Sequence, residues 1–171
     1  MQGTVQQFLA GIASYKDQQS LFGILAPMSD RYSSCALSSA GLVIKAGSSA
    51  LAKTGTAVTV LVASGVLLQI AGSTDMPALT GIDIAQNDFN VVCFFVDRGG
   101  TVTAAAGTAG ADLKDVLFPV FPQGQALVGF LMIDATSAFT GGSTALDAVT
   151  TTYCSPTGAF DPNVLVGATN Y

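Results

Sequence analysis

The stretch FNVVCFFVD at 89–97 constrains the fold of this chain more than any other segment. Read with the two-residue period of a strand, its side chains divide into two sets. Val91, Cys93, Phe95 and Asp97 form one, and Val92, Phe94 and Val96 form the other, so no face is suited to water. Strands of a lone sandwich alternate core and solvent residues. This strand must therefore be covered on both sides, either by its own chain or by something outside it. The pattern recurs at 126–134, where Ala126, Val128, Phe130 and Met132 oppose Leu127, Leu131 and Ile133 with Gly129. It recurs again at 56–63, where Val58, Val60 and Val62 alternate with Ala57, Leu61 and Ala63, interrupted by Thr59. Three such strands exceed what one sandwich interior needs. The expectation is that neighbouring subunits or the N-terminal segment cover the second faces. The candidate interface residues are Phe94, Val96, Phe130 and Met132 on the strands, with Phe8 and Ile12 in the N-terminal segment.

From Leu42 onward, turn signals recur about every eight to twelve residues, the spacing of an all-β sandwich or barrel. Strands are expected at LVIKA from 42, SALAK from 49, TAVTVLVA from 56, VLLQIA from 66, ALTGIDI from 78, FNVVCFFVD from 89, TVTAAA from 101, ALVGFLMID from 126 and VTTTYC from 149. The fold class is therefore all-β, a jelly-roll-like sandwich of about eight or nine strands with a short N-terminal helix or arm. Gly99 and Gly100 supply the positive φ of a tight hairpin after Asp97. ADLKDVLF at 111–118 has room for one or two helical turns before a corner at Pro119, Pro122 and Gly124.

The chain divides at about residue 40, into a helical arm and linker at 1–40 and a sandwich domain at 41–171. Thr4-Val5-Gln6-Gln7 has the form of a capping box, and Phe8, Ile12 and Tyr15 follow at helical spacing, which predicts a helix over 5–18. The apolar run at 21–28 stops at Pro27, and SDRYSSCALSSAG at 29–41 has the composition of a linker.

Only 10% of the residues are charged and 50% are hydrophobic, with a mean hydropathy of +0.55. A free surface usually carries about 25–35% charged residues. The exterior must be built from Thr, Ser, Gly, Ala, Asn and Gln, which suits a molecule that works assembled against others. All eleven acids are Asp, a turn residue rather than a helix former. The six basic residues, Lys16, Arg31, Lys45, Lys53, Arg98 and Lys114, are scattered, so no nucleic-acid groove is expected. VTVLVASGVLLQIAG at 58–72 is too short and too interrupted for a membrane span, and the N-terminus lacks the pattern of a secretory signal.

With no histidine, a Ser-His-Asp triad and a Cys-His pair are both impossible. The pairs Asp83 with Asp88 and Asp112 with Asp115 sit in turn-like contexts and read as solvated. Asp83, Asn87 and Asp88 offer oxygens in one loop but lack the spacing of a calcium loop. Three widely spaced cysteines, Cys35, Cys93 and Cys154, match neither a disulfide framework nor a zinc site, and Cys93 reads as a buried thiol. Phe94, Phe95, Phe118, Phe121 and Phe130 read as core. No enzyme activity, cofactor or metal is expected.

Three ordered phrases carry a resemblance: FVDRGGTVT at 95–103, FPVFP at 118–122 and TGGSTALD at 140–147. With the text around them, about residues 42–153, the chain resembles small virion structural proteins of tailed bacteriophages, of the head-decoration, cement or fibre-like kind. The resemblance implies a capsid decoration or cement protein in the virion, assembled in the host cytoplasm. Its partners would be the major capsid protein or another virion protein, and further copies of itself, with three-fold order implied by the resemblance alone. The alternatives are a head or tail fibre subunit and a carbohydrate-binding β module. The absence of Trp counts against the last.

Overall fold

The computed structural model describes residues 32–62 and 65–160, together with Leu25 and Ser29. The helix expected over 5–18, and with it Phe8 and Ile12, lies outside the described residues. Among the described residues the chain is all-β and sandwich-like. In order the strands are β1 (Cys35–Ala36), β2 (Leu42–Ile44), β3 (Ala52–Thr54), β4 (Val58–Val62), β5 (Val66–Ile70), β6 (Asp83–Ile84), β7 (Phe89–Val96), β8 (Val102–Ala106), β9 (Ala126–Asp134), β10 (Phe139–Thr140) and β11 (Thr150–Cys154). One 3-10 turn, Leu113–Asp115, occupies the stretch expected to be helical.

Three of these strands are two residues long, and the sequence pattern does not mark two of them. β1 lies in the stretch read as linker, yet Cys35 and Ala36 pair with Leu61 and Val60 of β4. Small side chains leave no periodic signal, so backbone pairing decides here. The strand expected from 78 shrinks to β6 because Gly81, at φ 82°, turns the chain and Ile82 N–H donates to Leu79 O at 3.0 Å. Similarly, the strand expected from 49 begins only at Ala52, after a turn in which Ser48 takes φ 59°.

The largest sheet has the order β11-β9-β7-β8, all antiparallel. The β7–β8 turn is held by Asp97, whose Oδ1 accepts from Gly99 N–H at 2.8 Å and Thr101 N–H at 2.9 Å. Gly100 takes the positive φ of 83° that the turn needs. Against one face of this sheet lies the main core. It joins Val92, Phe94 and Val96 of β7 to Val58, Val60 and Val62 of β4, and it is closed by Leu42, Met76, Leu79, Ile84, Phe139 and Leu146. The opposing elements are the three-stranded sheet β1-β4-β5 and the pairs β2-β3 and β10-β6. Thr54 is fully buried there, and its hydroxyl donates to Ala71 O at 2.8 Å and accepts from Thr74 N–H at 2.9 Å, so its burial leaves no polar group unmet.

The face assignment expected for β9 holds at only one end of the strand. Phe94 lies opposite Gly129 but Phe95 lies opposite Leu127, so Val128 is an extra residue, a β-bulge. One inserted residue moves everything beyond it to the other face. Ala126 and Val128 therefore share the main core with Leu131 and Ile133, while Leu127 shares the opposite face with Phe130 and Met132. Glycine stands at the bulge for a steric reason. A Cβ on Gly129 would lie 2.6 Å from both Cys154 O and Leu42 Cδ1.

Candidate interaction surface

The second face of β7 is covered by its own chain. Val91, Cys93 and Phe95 join Leu127, Phe130 and Val116 in a second buried cluster, with Phe118, Phe121, Met132 and Phe160 packed against it. The cover is the connection from β8 to β9. It leaves the sheet through a reciprocal pair between Thr108 and Leu117, at 2.9 and 3.2 Å, and a second between Phe89 and Gly110, at 2.8 and 3.0 Å. The 3-10 turn then directs Val116 inward, where it is 3% exposed. Pro119 and Pro122 fix the backbone on either side of Val120 and Phe121, limiting the conformations that burial must freeze.

The phenylalanines of this cluster meet edge to face or stacked. Phe95 and Phe121 have ring centroids 5.0 Å apart at 71°, and Phe118 and Phe130 are 5.2 Å apart at 80°. Phe160 closes the cluster against Phe118 at 5.6 Å, Phe130 at 5.4 Å and Phe121 at 6.2 Å. Each such pair adds about 0.5–1.5 kcal/mol beyond area burial. With their faces spent on one another, these rings form a lid on the sheet rather than an open stacking platform.

This arrangement redistributes the candidate interface residues. Phe94 and Val96 are fully buried in the main core, and Phe130 is 1% exposed in the second cluster. Met132 is half-buried on that cluster. None of the first three can meet a partner while the chain is folded. The second faces of β7 and β9, expected to be covered by further copies, are filled by Val116, Phe118, Phe121 and Phe160, so neither face calls for self-association. The cover seen on β7 is the chain's own β8–β9 connection with Phe160, in place of the neighbouring subunits or N-terminal segment that were expected.

What remains apolar and open lies elsewhere. On the outer side of the connection Val120 is 91% exposed, with Leu117 and Leu113 also exposed. On the outer face of β1-β4-β5, Leu67 is 63% exposed beside half-buried Leu61, and Leu37 is exposed on the same sheet. The first patch was not among the expected interface residues, and the signal that could have found it is the FPVFP corner. Its two phenylalanines turn in together, which leaves the valine between them facing out. On the same connection Lys114 pairs with Asp112 at 3.2 Å, and this exposed ion pair contributes little.

The residues weighed for chemistry do not converge. Asn87 takes φ 69° and donates its N–H to Ala135 O at 2.7 Å, a turn geometry, next to Asp88. Asp83 lies on β6 opposite Thr140. Among the described residues no group of three or more His, Cys, Asp or Glu is placed to hold a metal ion. No helix among them is long and apolar enough to cross a membrane. Comparison with protein-family models, with curated proteins and with solved structures returned no match.

Burial pushes the Cys93 thiol far above the usual thiol range. It also raises Cys154 and, together with the nearby Asp147 charge, Tyr153. The folded chain holds these protons more tightly than the unfolded chain does. Their contribution is therefore complete below an unfolded thiol pKa of about 8.5 and is lost as the pH rises beyond it. Denaturation midpoints should fall above about pH 8.5. Native Cys93 should react with a thiol reagent only after denaturant is added. Midpoints that rise across that window, or rapid native labelling of Cys93, would contradict the burial described.

Proposed function

We propose that this chain is a structural virion protein, a decoration or cement protein that bridges neighbouring subunits of a phage head shell without covalent bonds. The observation that carries the reading is the proline-flanked Val120, 91% exposed on a connection seated by the phenylalanine cluster. A rigid apolar projection loses little conformational freedom when it docks, so more of its burial appears as affinity. Leu113 and Leu117 are also exposed on this connection, and the low charge of the chain lowers the desolvation cost of a broad contact. A specific interface of standard size buries about 1,600 Å² in total, and repetition over many sites adds such contacts over a shell. The phrases FVDRGGTVT and TGGSTALD, which carry the phage resemblance, lie on the β7–β8 hairpin and after β10 and support the same reading.

Counting copies on purified particles tests it. Hundreds per particle fit a shell component, whereas a handful would point to a fibre or tail part. Val120→Asp should reduce particle binding by at least about tenfold, since a charge replaces a desolvated anchor at a cost of about 2 kcal/mol or more. Because Val120 touches solvent, the same change should leave the denaturation midpoint in place. Undiminished binding by the variant would remove this surface from the proposal.

A further inference from the structure

We infer that the free edge of β5 pairs antiparallel with β5 of a second copy, across a two-fold axis at Leu68. The backbone directions follow from one hydrogen bond. Leu37 N–H donates to Thr59 O at 2.8 Å, which turns the groups of Thr59 and Leu61 toward β1 and those of Val58, Val60 and Val62 toward β5. Their partners Ile70, Leu68 and Val66 return those bonds. The N–H and C=O of Leu67 and Gln69 therefore point away from the sheet, where no hydrogen bond from a described residue meets them.

Among the described residues this edge has none of the usual protections. VLLQI contains no charge, no proline and no bulge, and it carries Leu67 at 63% exposure. A second five-residue edge strand, β8, differs. Leu117 closes it at Thr108, and it offers only valine, threonine and alanine side chains.

The second copy is the occupant because the edge is complementary to itself. A two-fold at Leu68 places Leu67 opposite Gln69 of the other copy, and their outward groups exchange hydrogen bonds in both halves. The two Leu68 side chains, half-buried against the main core, then face each other directly at a Cα separation of about 4.5 Å. On the outer face the two Leu67 side chains become diagonal neighbours about 7–8 Å apart. Each already lies beside Leu61 of its own β4. One apolar strip thus crosses the whole interface, and no charge opposes a like charge along it. Two-fold closure uses the edge up in both copies and stops further growth.

This inference stands apart from the virion reading. The test is the mass of the full-length chain by light scattering at micromolar concentration, with two variants. Leu67→Asp puts a charge at the centre of the strip. Gln69→Pro removes an outward N–H that β4 does not use. The wild type should have twice the 17.2 kDa chain mass, and each variant the single mass with an unchanged far-UV spectrum. Amide exchange at Leu67 and Gln69 should be slow in the wild type and fast in Leu67→Asp. A monomeric wild type overturns the inference, as does an oligomer that survives Leu67→Asp or one in which these two amides exchange freely.

Discussion

Phe94→Asp should abolish the fold rather than release folded monomers. Phe94 is fully buried between Val92 and Val96, and its cross-strand neighbour at the bulge is Gly129. Removing the ring alone costs about 3–5 kcal/mol. The carboxylate adds several kcal/mol more, or forces its own protonation, because no basic residue is among the residues of that core. The sum is comparable to the whole stability of a domain, about 5–15 kcal/mol. The variant should lose its near-UV dichroism and its cooperative urea transition. Leu67→Asp, a change of similar chemistry at an exposed edge, should keep both. A Phe94→Asp protein that melts cooperatively near the wild-type midpoint would mean that β7 is not the centre of the sandwich.

The second large effect is expected at Gly107. A Cβ there would lie 2.0 Å from Leu117 O and 2.8 Å from Val91 Cγ1, where no side chain fits without movement of backbone. Gly107 N–H also holds Val91 O at 2.7 Å, so the strand cannot simply back away. The yielding part must be the connection, through the Thr108–Leu117 pair. Lifting it uncovers Val116, Phe118 and Phe121, each of which stabilises by about 1.5–3 kcal/mol when fully buried. Gly107→Ala should therefore lower stability by about 3 kcal/mol or more, a size that marks a named structural defect rather than an ordinary substitution. It should also make Cys93 reactive in the native state, because the lifted lid is what shields its thiol. Wild-type stability with an unreactive Cys93 would show that the connection does not depend on this contact.

The all-β class was legible because strands and turns are local features. Strict alternation at Val58, Val60 and Val62, the Asp97 to Gly100 turn and the run 89–97 each follow from neighbours in sequence, and each lies where it was expected. β7 splits as the two-residue period requires, with Val92, Phe94 and Val96 on one side and Val91, Cys93 and Phe95 on the other. β9 does not, since a bulge is a relation between two strands and its extra residue is indistinguishable from any other in a single strand. The main candidate surface was misplaced for a related reason. Apolar faces on both sides of a strand state that a cover is needed, and nothing local states which residues provide it.

By itself, the sequence determined that β7 would be buried on both faces, because no period-2 reading of VVCFFV leaves a side for water. It also determined that the exterior would be poor in charge, because ten per cent of charged residues cannot clothe a surface. Tertiary structure alone decided that the cover is Val116, Phe118, Phe121 and Phe160, brought to the sheet by the Thr108–Leu117 pair. The physical reason is that hydrophobic burial is non-directional: it rewards any apolar partner of fitting shape, and only chain connectivity and backbone hydrogen bonding select which one arrives.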